Sequence, residues 1–118
     1  MLFRSNPMKY VIMSLIALAT TTAANAGTAS WYGGSFHGKK TASGEVFNQH
    51  ALTAASNTHK LGSLLKVTNP ANGKSVVVRV TDTGGFGKYG RTLDLSKGAF
   101  SKIASLSKGV IKVQVAKL

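Results

Sequence analysis

A chain of 118 residues with 15 Lys+Arg, 3 Asp+Glu and no cysteine has room for one domain. The missing cysteine excludes a disulfide framework, a thiolate metal site, a cysteine nucleophile and a lipid anchor on cysteine. The formal charge of +12 calls for an anionic partner, or for a surface kept soluble by its own repulsion.

Arg4 and Lys9 precede and open onto the apolar run Tyr10 to Ala19, and Ala24-Asn25-Ala26 fits a small-residue cleavage pattern. Residues 1–26 read as a secretory leader cleaved before Gly27, because the apolar run is far shorter than the roughly 20 residues that span a bilayer. The expected mature domain, 27–118, keeps a formal +10 on 92 residues and all 13 glycines. That is about twice the usual glycine share, which points to many turns and an all-β fold. Export disfavours nucleic acid as a partner and leaves the anionic polymers of the envelope. No membrane anchor is expected after cleavage, and a basic monomer is the default.

Thr28 to Tyr32 reads as a first strand, followed by a loop from Gly33 to Gly44 and a second short run at Ala51 to Ala55. Leu64 to Thr68 and Ser75 to Thr81 flank Asn72-Gly73, a hairpin signal because both residues tolerate positive φ. The β-branched run Val76-Val77-Val78 suits a strand covered on both faces. Ser96 is placed to cap a short helix over Lys97 to Ser105, with Ala99, Phe100, Ile103 and Ala104 as its apolar face. Gly109 then turns the chain into an alternating strand, Val110 to Leu118, with Ile111, Val113 and Val115 on one side. About six short strands and one helix imply a small closed barrel.

The three acids sit at punctuation points. Glu45 closes Thr41-Ala42-Ser43-Gly44-Glu45, Asp82 ends a strand before a glycine-rich loop, and Asp94 lies between two leucines just before the helix. Carboxylates at strand ends beside such loops are where small barrels build sites, and glycosidic cleavage is the chemistry they suit. Each has a plainer reading too: Asp82 as a turn residue, Glu45 as a surface partner of Lys39 or Lys40, Asp94 as a buried hydrogen-bonding group. Trp31 and Tyr32 alternate across a strand, so one of them at most faces a groove. Phe86 and Tyr89 stand in the glycine-rich loop, and His37 reads as a local hydrogen-bonder. His37, His50 and His59 have neither the spacing nor the companions of a metal site, and no cofactor motif occurs. The glycine-rich loop lacks phosphate-loop spacing, and there is no Gly-x-Ser-x-Gly.

In order along the chain, Ala29-Ser30-Trp31-Tyr32-Gly33, Phe36-His37-Gly38, Thr41-Ala42-Ser43-Gly44-Glu45-Val46-Phe47, Ala51-Leu52-Thr53-Ala54-Ala55, Val67-Thr68-Asn69, Asn72-Gly73-Lys74-Ser75-Val76, Val80-Thr81-Asp82 and Leu93-Asp94-Leu95-Ser96 resemble the rare lipoprotein A (RlpA) family. The Thr-Asp and Asp-Leu-Ser elements are similar to those of the expansin N-terminal domain. The resemblance implies a six-stranded double-psi β-barrel with one short helix. It implies an endolytic lytic transglycosylase of peptidoglycan that prefers glycan strands without stem peptides, secreted or periplasmic. By motif position it puts the catalytic acid on Asp82 and an accompanying carboxyl on Glu45. Asp94, His37, Tyr32, Phe86, Ser56 and His59 then fall among the residues that would hold substrate.

The chain departs from the family pattern at Ser56, where the family has a histidine, and at Thr83, where arginine is common. It also lacks the lipobox cysteine, so a soluble member is expected, and without the SPOR domain that recruits relatives to denuded septal glycan no septal targeting is expected. A non-catalytic, expansin-like wall binder is the alternative that these departures favour. A third possibility is a protease-inhibiting module built on the same barrel.

Overall fold

The structure is a computed structural model that describes residues 24–84 and 92–118. Six strands close into a barrel: β1 (Asn25–Tyr32), β2 (Thr53–Ser56), β3 (Leu64–Thr68), β4 (Ser75–Asp82), β5 (Leu93–Ser96) and β6 (Val110–Lys117). Their order around the barrel is β1-β5-β2-β4-β3-β6, with β6 returning antiparallel to β1. Two neighbouring pairs, β1 with β5 and β2 with β4, run parallel. The single α-helix among the described residues, α1 (Lys97–Ile103), follows β5 directly.

Alternation along the strands builds the core. Leu65 and Val67 of β3, Val76, Val78 and Val80 of β4, Leu93 and Leu95 of β5, and Val113 and Val115 of β6 all point inward and are buried. Phe100 and Ile103 of α1 join them with no exposed surface. The helix starts as the sequence implies: the Ser96 hydroxyl accepts from the Ala99 N–H at 3.1 Å. It ends at Ile103, two residues earlier than expected. The Ile103 carbonyl accepts from the side-chain amides of Asn69 (2.8 Å) and Asn72 (2.9 Å), which satisfy an end-of-helix carbonyl.

Several expectations are corrected. Val77 is 43 % exposed, because a closed barrel covers only one face of β4 and Val77 lies on the other, opposite Lys66. In the Asn69–Lys74 connection only Gly73 takes a positive φ (75°); Asn72 instead uses its side chain to accept from the Lys74 N–H. The second strand begins at Thr53 and includes Ser56. Leu93–Ser96 forms a strand of its own, since it lies between β1 and β2 and pairs with both. The first strand starts at Asn25, where Asn25 and Ala26 pair with Val115 and Gln114. The rest of the expected leader, residues 1–23, lies outside the described residues. Among the described residues, no helix is long and apolar enough to cross a membrane.

Candidate active site

One irregularity in the sheet creates the site. Along the β2–β4 pair, Ala54 faces Val80 but the next residue, Ala55, faces Asp82, so Thr81 is an extra residue on β4. Such a bulge re-aims the side chains that follow it. Here it puts Thr81 inside the barrel wall, 2 % exposed, and leaves Asp82 half-buried at the rim. Ala55 also faces Asp94 on β5, and Asp94 faces Ser30 on β1. Asp82, Ala55, Asp94 and Ser30 therefore form one row across four adjacent strands. The two carboxylate-bearing backbones stand two strand spacings apart, about 10 Å, with the small Ala55 side chain between them.

The backbone orients Asp82. Its Oδ1 accepts the N–H of Thr83 at 2.9 Å and the N–H of Ala42 at 3.0 Å. No hydrogen bond to its Oδ2 is found among the described residues. Asp94 is half-buried, and its Oδ1 accepts the Ser30 hydroxyl at 2.8 Å. Tyr32 stacks on Phe47 with ring centroids 4.5 Å apart and meets Phe36 edge-on at 5.8 Å. Burial, and then the negative charges of Asp82 and Asp94, push the Tyr32 phenol well above its usual range. It stays a neutral hydrogen-bond donor at any working pH. Trp31, on the other side of β1, donates its indole N–H to the Leu106 carbonyl and packs on the core. Of the two aromatics, Tyr32 is the one beside the acids.

Glu45 is elsewhere engaged. Both of its carboxylate oxygens meet the Arg79 guanidinium, at 2.5 and 2.8 Å. The hydrogen bonds from Arg79, more than its charge, hold the Glu45 carboxyl below the usual carboxylate range. Its partner is thus Arg79 on β4 rather than Lys39 or Lys40. A cavity of about 130 Å³ lies beside this pair, lined among others by Phe47, Thr53 and Thr81.

His37 is exposed and braces the loop before β2: its Nδ1 accepts the Gln49 N–H at 3.1 Å, and its ring lies 5.8 Å from that of His50. Ser56 was expected among the residues that would hold substrate. It is fully buried, and its hydroxyl closes a turn by accepting the N–H groups of Thr58 (3.2 Å) and His59 (3.1 Å). His59 is half-buried in that turn. Phe86 and Tyr89 lie outside the described residues. Among the described residues, no group of three or more His, Asp or Glu is arranged to hold a metal ion.

Two participants escaped sequence reasoning. Asn57 clamps the segment after Asp82, accepting the Gly84 N–H at 3.0 Å and donating its amide to the Gly84 carbonyl. No local pattern announces an amide that imitates a strand pair. Arg79 left a fainter signal, as an arginine on the outward face of a strand in a chain with three acids.

A family model described as lytic transglycolase matches residues 24–115, all of the barrel but the last two residues of β6. The chain belongs to that family. It is 54 % identical over 94 residues to the probable endolytic peptidoglycan transglycosylase RlpA of Synechocystis, covering 80 % of this chain and 29 % of the relative. With the endolytic peptidoglycan transglycosylase RlpA of Campylobacter jejuni it shares 52 % identity over 89 residues, 75 % of this chain and 32 % of the relative. The chain thus spans about a third of the length of these curated relatives, and the matched third is an RlpA-like double-psi β-barrel. Among solved structures, Streptomyces papain inhibitor shares the fold with a TM-score of 0.65 at 24 % identity, covering 80 % of this chain and 94 % of the inhibitor. A variant of the Clavibacter michiganensis expansin, in complex with cellohexaose, shares it at 0.62 and 22 % identity, covering 83 % of this chain and 50 % of the expansin.

Proposed function

We propose that this lytic transglycolase-family barrel cleaves the glycan strands of peptidoglycan as an endolytic lytic transglycosylase, with Asp82 as both acid and base. The observation that carries this is the placement of Asp82: a half-buried carboxyl at a bulge, with one oxygen fixed by two backbone N–H groups and the other without a hydrogen bond among the described residues. Fixing one oxygen sets the direction of the other, and a proton-transfer group gains most from being held in line with its target.

In the proposed step a protonated Asp82 gives its proton to the oxygen that links muramyl C1 to the next glucosaminyl residue. That C–O bond breaks, and positive charge develops at C1. The C6 hydroxyl of the same muramyl residue then attacks C1 and returns its proton to the Asp82 carboxylate. The products are a 1,6-anhydromuramyl end and a free glucosaminyl hydroxyl, with no water consumed. One carboxyl suffices. Asp94, in the same row, and the neutral Tyr32 phenol near both acids hold sugar hydroxyls, while His37 and His59 belong to loops on either side of β2. A preference for strands without stem peptides is part of this reading, carried by the family resemblance alone. The protein acts in the periplasm or outside the cell after removal of residues 1–26, as a monomer.

Digestion of denuded glycan in heavy-oxygen water tests the reaction. Products one water lighter than hydrolysis products, with no heavy oxygen at their ends, are expected; heavy oxygen at new reducing ends would mean a hydrolase. A second reading, a non-catalytic wall binder, is favoured by the buried Ser56, at the position where the family resemblance implies a histidine. It predicts salt-sensitive binding to glycan with no new ends at all.

A further inference from the structure

We propose that Glu45 is a positioning residue, whose pairing with Arg79 latches the Thr41–Glu45 turn across the end of β4 so that the Ala42 N–H holds one oxygen of Asp82. This rests on the reading of Asp82 as the reacting acid.

The turn itself is small. The Gly44 N–H donates to the Thr41 carbonyl at 2.9 Å, the Thr41 N–H donates to the Glu45 carbonyl at 2.8 Å, and Gly44 takes a φ of 87° that a side chain would strain. Three attachments dock it on β4. The Ser43 N–H donates to the Thr81 carbonyl at 3.0 Å, the Ala42 N–H to Asp82 Oδ1 at 3.0 Å, and Glu45 takes the Arg79 fork. The first two are single hydrogen bonds from an exposed turn. The third is a two-pronged, charge-assisted contact, the strongest type available on a surface. It anchors the turn three residues before the acid that the turn must reach.

The same geometry removes Glu45 from the chemistry. A carboxyl kept ionised by an always-charged guanidinium is poorly suited to give a proton, and its field is largely neutralised by the partner beside it. Nor does the pair hold the fold together, since both side chains are more than two-fifths exposed and such pairs add little to global stability. A contact that stabilises little and is placed to fix a neighbour's orientation is expected to show itself in turnover, not in melting.

The test compares Glu45→Gln, Arg79→Met and the charge swap Glu45→Arg with Arg79→Glu, in the mature chain. Hydrogen exchange at the Ala42 and Ser43 amides and steady-state turnover of denuded glycan are both read. Each single variant is expected to lose about tenfold in amide protection and about tenfold in kcat, with KM within about twofold and Tm nearly unchanged. The swap is expected to restore most of both. Unchanged amide protection in Arg79→Met would overturn the latch, as would loss of all turnover in Glu45→Gln that the swap fails to restore. If the wild-type protein cleaves no glycan, the proposed function fails, and the exchange measurements still decide the latch.

Discussion

At the Ser75 end of β4, buried Asn69 engages both ends of its amide: it donates to the Ile103 carbonyl at 2.8 Å and accepts the Ala71 N–H at 3.0 Å. At the Asp82 end, the buried hydroxyls of Thr53 and Thr81, and that of Tyr32, have no partner among the described residues. One oxygen of Asp82 is likewise left over. The larger hollow, about 600 Å³, lies at the Ser75 end between Pro70, Ala71 and Ile111, with Lys108 and Lys112 at its edge and no carboxylate in its lining. The proposed reacting acid is therefore not beside the larger hollow but at the end that holds the unsatisfied polar groups, and a buried group without a partner is destabilising unless it serves something besides stability.

In stability, the largest effect that sharpens this contrast is expected from Asn69→Ala. It removes a buried donor from the Ile103 carbonyl and should cost about 1–3 kcal/mol in chemical denaturation, with turnover per folded molecule unchanged. At the other end, the isosteric Thr81→Val removes a hydroxyl that has no partner. Its stability should stay level or rise by up to about 1 kcal/mol, and a loss as large as that of Asn69→Ala would break the comparison.

The next effect is a pH dependence. A carboxylate depressed by its partner contributes above its ordinary value of 4.5 and loses that contribution as pH falls through its lowered value. Protection of the Ala42 amide should therefore persist at neutral pH and fade below about pH 4.5, while protection in β6 stays. The smallest effect is expected from Lys108→Ser with Lys112→Ser: glycan turnover at fixed salt should remain within about twofold, because the hollow they border has no acid.

Sequence reasoning reached the barrel because its signals were local. Alternation at Val110 to Leu118, the Ser96 cap and Gly73 each follow from a few neighbouring residues, and the ordered motifs placed them in one family. The row of acids was half legible. Asp82 and Asp94 were singled out as strand-end carboxylates, yet their link through Ala55 depends on register across three strands. The bulge at Thr81 was not legible, since nothing in Val80-Thr81-Asp82 says that β2 pairs past it. Glu45 was picked out for its loop position, but its partner lies 34 residues away on β4. Val77 was misplaced for a similar reason: three consecutive valines look alike, and only closure of the sheet decides which of them faces water.

The central claim is that Asp82 performs the cleavage. Mass spectrometry of denuded glycan treated with the mature chain, and in parallel with Asp82→Asn, tests it most directly. The account predicts 1,6-anhydromuramyl fragments from the first and at least a hundredfold fewer from the second, with Tm and glycan binding nearly equal. Equal yields of anhydro ends from both proteins would contradict it.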